Sequence, residues 1–366
     1  MDAAPAAKTI DLGGRLVIPG LIDGHIHLDK TFLGDGWRSH RPCSAGFNVH
    51  ERVEFEKEFL AAARPVVERG AALIETVVAR GTTHIRSHVD IDAQSKLANL
   101  EAVLELRERY RDRLSIQIVA FPQSGIIASP GTADLLDAAI SAGADLIGGL
   151  DPAGFDRDMN GHLDVVFGIA ERHGVGVDIH LHDPDALGLL ELEEISRRTR
   201  ALGMEGRVAV SHAYALGEVP EAQMLAVAET LARSGVSIMT NAPGSHAFPP
   251  VLALRGAGVT VFAGNDNIRD SWWPYGDGDM LERAMMIGYR SGFFTDEDLE
   301  VAFDLATASA ARALGIEGYG LAPGAQADFV VLEAEHVPQA VVARPVRQAV
   351  YKAGQCVARG GVFGAA

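Results

Sequence analysis

Between Leu16 and Phe32 the chain reads LVIPGLIDGHIHLDKTF. An apolar run halts at Pro19-Gly20, resumes at Leu21-Ile22, and delivers His25 and His27 with one residue between them. Side chains alternate faces along a strand, so both imidazoles point the same way, about 6–7 Å apart, within reach of one metal ion. Taken alone, such a pair also describes two solvated histidines at a polar strand end. The rest of the chain tips the balance. Lys30 follows in the same stretch, Gln123 closes a second apolar run, and His180, His182 and Asp183 close a third. His212 ends a fourth, and Asp266 and Asn267 end a fifth, just ahead of Trp272 and Trp273. Imidazoles and carboxylates at strand ends are what a catalytic divalent ion takes as ligands.

Those side chains need a frame that brings many strand ends to one place. Short β-branched runs alternate with longer amphipathic segments, the pattern of parallel βα units. Strands are expected at Leu21–Leu28, Thr83–Val89, Leu114–Phe121, Leu146–Leu150, Gly176–His182, Arg207–His212, Val236–Thr240 and Val259–Ala263. Helices are expected between them, including one over Glu51–Arg80 and a closing pair at Asp279–Ser291 and Asp296–Leu314. Eight strands in this order predict an α/β fold, a (β/α)8 TIM barrel, whose active sites form at the C-terminal ends of the strands. The polar residues collect there. From Leu321 the pattern changes to turn residues followed by strand-like runs. The barrel is therefore expected over residues 19–318, and a small β-sandwich domain from the two chain ends, residues 1–18 and 319–366. Little chain precedes Val17, which predicts a reduced sandwich or a natural start further upstream.

Composition sets the partners. The 366 residues carry a formal net charge of -17, which argues against nucleic acid or an anionic membrane. Cys43 and Cys356 stand in no metal-binding spacing and form no disulfide framework. The opening MDAAPAAKTIDLGG lacks the basic and apolar regions of a signal peptide, and no apolar run approaches the roughly 20 residues of a membrane span. A soluble cytoplasmic protein, assembled as a homo-oligomer, is expected.

The pieces PGLIDGHIHLDKTF, HIRSHVDI, IQIVAFPQSGI, VDIHLHD, VSHAYA and GNDNIRDSWWPYGDGDML, with LAPGAQADFVVLE in the tail, resemble the amidohydrolase superfamily and its cytosine deaminase branch. The resemblance implies one divalent metal, zinc or else iron, held by His25, His27, His180 and Asp266, with His212 beside the bound water. Binuclear members carry a bridging lysine or glutamate on strand four. This chain has LIGGLDPAG there, so one metal is expected. Three imidazoles and a carboxylate leave the ion a strong Lewis acid that brings the pKa of water towards about 7, and Asp266 would take the water's proton. The implied substrate is a small N-heterocycle, a cytosine-like pyrimidine or an s-triazine, losing an amino or alkylamino group.

Two positions depart from cytosine deaminases. Asp183 stands where they carry a proton-shuttling glutamate, and Asn267 where they carry a second aspartate. The HxH ending in His182, Lys30 in HxHxxK and the Asp266-Asn267 pair instead resemble the triazine-degrading N-isopropylammelide isopropylaminohydrolases. Two shuttles stay open: Asp183 acting through a water, or His182 with Lys30. The second is favoured, because His182 shares a strand face with His180. Gln123 offers donor and acceptor together and is expected, with Asn267 and Trp272, to bind the heterocycle. His84 and His88 match no ligand and are expected in the core or behind the ligands; His246 is unassigned. The competing functions are a cyclic amide hydrolase, which usually goes with the binuclear site, and a non-catalytic relative, which would have no need of the ligands.

Overall fold

The computed structural model describes residues 9–46 and 48–364. Residues 1–8 and 365–366, both within the spans expected to form the small β domain, and Phe47 lie outside the described residues. The expected barrel is present. After β1 (Leu16–Pro19) come eight parallel strands in sequence order: β2 (Leu21–Ile26), β3 (Thr82–Asp90), β4 (Ser115–Phe121), β5 (Leu146–Leu150), β6 (Gly176–Leu181), β7 (Val208–His212), β8 (Ser237–Thr240) and β9 (Val261–Ala263). Their outward Val, Ile and Leu side chains pack on the surrounding helices. Within the barrel, Ile22, Ala209, Met239 and Phe262 form an apolar floor with Ala310, Ala311 and Leu314.

The last strand meets the first across an unusual seam. Asp266 N donates to His25 O at 2.7 Å, and Asn265 donates from its backbone and side chain to the Asp23 carboxylate at 2.9 and 2.7 Å. Two glycines permit this approach. A Cβ on Gly264 would lie 2.5 Å from the His25 Cβ, and one on Gly24 2.4 Å from the Phe262 ring.

Two of the expected helical stretches are each broken into two. Glu51–Arg80 is two helices, α1 (Val49–Ala61) and α2 (Val66–Ala79). Pro65 has no N–H and steers Arg64 out of the helical region, which breaks the run. Asp296–Leu314 is likewise two, Asp296–Asp304 and Ala308–Leu314. The Leu305 and Ala306 carbonyls between them accept from Ala263 N and Ile22 N, both at 2.9 Å, so strand ends claim the acceptors a continuous helix would use.

The chain ends supply a five-stranded antiparallel sheet in the order β1, β10 (Phe329–Leu332), β11 (Arg347–Lys352), β12 (Gln355–Arg359) and β13 (Val362–Phe363). Buried polar contacts tie it to the barrel. Lys352 Nζ reaches Asp328 at 2.6 Å and His84 Nε2 at 3.3 Å, and Tyr319 Oη donates to Gly20 O at 2.7 Å. Among the described residues, no helix is long and apolar enough to cross a membrane.

Candidate metal centre

Five side chains converge at the C-terminal mouth of the barrel. His25 and His180 lie within β2 and β6, His27 just beyond β2, His212 at the end of β7, and Asp266 in the turn after β9. His212 and Asp266 hold φ of +74° and +62°, a left-handed backbone that non-glycine residues seldom keep without a constraint from their surroundings. Asp266 Oδ1 lies 3.2 Å from His27 Nε2 and 3.5 Å from His25 Nε2. The donor atoms of His25, His27 and Asp266 fall within 4.8 Å of one another, and so do those of His25, His180 and His212.

All five are buried, and several donor atoms have no hydrogen-bond partner among the described residues: His25 Nε2 and both ring nitrogens of His180. An unpaired buried polar atom costs about 1–3 kcal/mol, so such a cluster needs a ligand. The protonation states suit a cation. Burial and the neighbouring imidazoles hold His25 and His180 well below the ordinary histidine pKa, keeping them neutral, the form that binds metal. Burial works against the Asp266 carboxylate, but its hydrogen bond with His27 and the nearby histidines win and lower its pKa. Asn241 Nδ2 steadies it from outside at 2.9 Å. The residues present fit one divalent ion.

Beside this cluster His182 and His212 stack at 4.5 Å. His212 is neutral, its pKa pushed down to about 3 by burial and by His182. For His182 burial also pushes down, but Asp151 outweighs it and the net shift is upward. Asp151 accepts from His182 Nδ1 at 2.9 Å and from the His182 backbone N at 2.5 Å. It directly follows β5 and has φ +36°. Sequence reasoning passed over Asp151; its one signal was its place immediately after a barrel strand.

Lys30 is not a surface lysine. It is buried 2.9 Å from Asp90 and 3.1 Å from Glu56. Burial would lower its pKa, yet Asp90, Glu56 and Asp29 outweigh it and favour the cation. Glu56 also accepts from Trp272 Nε1, which pins α1 against the mouth. Asp183 turns elsewhere: its Oδ2 takes the Gly154 N–H at 2.7 Å, and it pairs with Glu191. Glu191 is pushed up to about 9 by burial and the Asp183 charge, so a proton stays on the pair.

The cluster opens into two joined chambers. An inner one of about 30 Å³ is lined by Lys30, Gln123, His180, His182, Asn267 and Trp272 among others. An outer one of about 100 Å³ shares His182, Asp266, Asn267 and Trp272 with it, and adds Tyr214 and Trp273. His246 lines the outer chamber, stacked on Tyr214 at 5.7 Å. The geometry thus gathers every expected site residue except Asp183 around the chambers. His25 lies immediately beneath, and His88 packs on it at 3.8 Å. His84 lies apart, beside Lys352 at the small sheet.

Residues 8–358 match the model of the Amidohydrolase family. The N-isopropylammelide isopropyl amidohydrolase of Pseudomonas sp. (strain ADP) is 33% identical over 357 residues, 96% of this chain and 88% of that protein. The crystal structure of N-isopropylammelide isopropylaminohydrolase from Burkholderia multivorans superposes with a TM-score of 0.94 at 46% identity, over 99% of this chain and 92% of that one. The 5-methylcytosine deaminase of Klebsiella pneumoniae, solved with 5-fluorocytosine, gives 0.85 at 28% identity, over 98% and 90%.

Proposed function

The chain belongs to the amidohydrolase family and is a hydrolase of carbon–nitrogen bonds other than peptide bonds, and from that premise we propose that it strips an alkylamino or amino group from a small neutral N-heterocycle. An s-triazine of the N-alkylammelide kind is the first choice and a cytosine-like pyrimidine the second. The observation that carries the choice is the His182–Asp151 pair facing the chambers while Asp183 is engaged behind them. The position that serves proton transfer in cytosine deaminases is thereby given over to packing, as a triazine-type pattern would have it.

His25, His27, His180 and Asp266 would hold one divalent ion, zinc or iron, which when bound supplies Lewis acidity and lowers the pKa of a water. Asp266, kept ionised, takes the proton of the attacking water. His212, kept neutral, orients that water as an acceptor. His182, its pKa raised by Asp151, delivers a proton to the departing nitrogen. Lys30 stays charged and donates to a ring carbonyl, Gln123 pairs with the lactam edge, and Trp272 covers the ring face. The small inner chamber keeps bulk water from the reacting carbon.

An amine- and ammonia-release screen over N-isopropylammelide, ammelide, cytosine, isocytosine and dihydroorotate, with metal content measured, tests this reading. Isopropylamine release with one equivalent of metal per chain is expected. Ring opening of dihydroorotate without nitrogen release, or activity that needs two metals, would overturn it.

A further inference from the structure

One layer beneath the histidine cluster the barrel is polar, and no role assigned above uses those residues. Asp178 in β6 and Ser211 in β7 are fully buried, and Arg86 in β3 nearly so. His25 Nδ1 lies 2.8 Å from Ser211 Oγ, Ser211 Oγ donates to Asp178 Oδ1 at 2.8 Å, and Arg86 Nη1 donates to Asp178 Oδ2 at 2.8 Å. Arg86 is itself fixed by Gln117 Oε1, 3.2 Å from its Nε and 3.1 Å from its Nη2. Gln117 Nε2 in turn donates to Leu314 O at 2.9 Å, in the barrel floor.

We propose that Arg86, Asp178 and Ser211 form a positioning relay that fixes the proton of His25 on Nδ1, so that Nε2 presents its lone pair to the metal. The polarity follows from donor and acceptor bookkeeping. Arg86 only donates, so Asp178 beside it acts as a carboxylate acceptor. Ser211 spends its one hydroxyl hydrogen on Asp178 and offers His25 only lone pairs. His25 Nδ1 must then carry the hydrogen, and Nε2 is the nitrogen left without a partner, 3.5 Å from Asp266 Oδ1. His27 reaches the same tautomer through a backbone group, since its Nδ1 donates to His88 O at 3.2 Å. His25 has no such carbonyl and relies on the relay.

His25, His88 and Asp178 also bring donor atoms within 4.8 Å of one another, which raises a second ion site as the rival explanation. Arg86 decides against it. A guanidinium already sits 2.8 Å from the Asp178 oxygen that faces His88 at 3.8 Å, so a second cation there would be repelled. Outer-shell partners of metal-binding histidines are commonly worth 10–100-fold in metal affinity.

The proposal rests on the metal reading above, and the test separates the two. In the metal-free chain carrying isotope-labelled histidine, NMR should find His25 as the Nδ1–H tautomer. Ser211→Ala should blur that preference and weaken zinc binding about 10–100-fold in chelator competition, while the metal-free protein still folds and melts cooperatively. Asp178→Asn should act the same way if it folds. Wild type with Nε2–H on His25, or Ser211→Ala with native zinc affinity, overturns the relay. Wild type that binds no zinc overturns the metal reading, and the tautomer then still decides the relay.

Discussion

His182 and His212 are in van der Waals stacking, yet their protonation is driven apart because Asp151 hydrogen-bonds only His182. A pair of titratable groups separated in this way marks the acid and its neutral neighbour. His182→Asn and Asp151→Asn should therefore each lower kcat by about 10²–10⁴-fold with metal content intact, measured at saturating substrate. Asp183→Asn should leave kcat within a few-fold, because its carboxylate faces Gly154 and Glu191. Glu191 gives a separate, thermodynamic prediction. Its pKa rises from the ordinary 4.5 to about 9 in the folded chain. Between those values the unfolded chain has released the proton and the folded chain retains it, so stability falls as pH rises through that window. Glu191→Gln should flatten the decline, read from urea midpoints across the same range. The strand-end histidines were legible in the sequence because a parallel barrel gathers strand ends. Asp151 was not, since a lone Asp after Gly-Gly-Leu reads as a turn. Nor were the partners of Lys30, as Glu56 and Asp90 come from segments whose approach only tertiary packing sets.

Among the elements, the eight strands were legible from their β-branched runs, while helix boundaries depended on Pro65 and on which carbonyls the strand ends claim. The closing seam between β9 and β2 carried no local signal at all. It rests on Asp23, Asn265 and the missing side chains of Gly24 and Gly264. Gly264→Ala would drive a methyl group into the His25 backbone and Cβ. Overpacking of this kind costs about 1–3 kcal/mol, and here the strain also lands on the HxH turn. The expected outcome is a lower urea midpoint together with weaker zinc binding. Enlarging an exposed glycine such as Gly256, which has open space around its Cβ position, should change neither by a comparable amount.

At the scale of the whole molecule, buried polar contacts tie the small sheet to the barrel. Lys352 and Asp328, 2.6 Å apart, link β11 to the stretch that leads into β10, and His84 brings the barrel strand β3 into the contact. Removing one member of a buried pair strands the other, which typically costs about 3–5 kcal/mol. Lys352→Met should lower the unfolding free energy by about that amount while the folded fraction keeps native kcat, because the pair lies far from the chambers. The tail was legible as β structure from its turn residues and strand-like runs. Helix Val337–Ala343 within it was not, since seven residues rich in Val and Ala read as readily as a strand.

The pairing of β1 with β10 also has a meaning in time. During synthesis β1 leaves the ribosome ahead of every other described strand, yet its partner lies roughly three hundred residues later, about 15–60 s at ordinary elongation rates. Throughout that interval Val17 and Ile18 lack their β10 partner, and unpaired strands of this kind are prone to misassociation. Only a chain made at least as far as Leu332 can pair them with β10. A product cut short anywhere in the barrel would lack β10, and its first strand would stay without that partner.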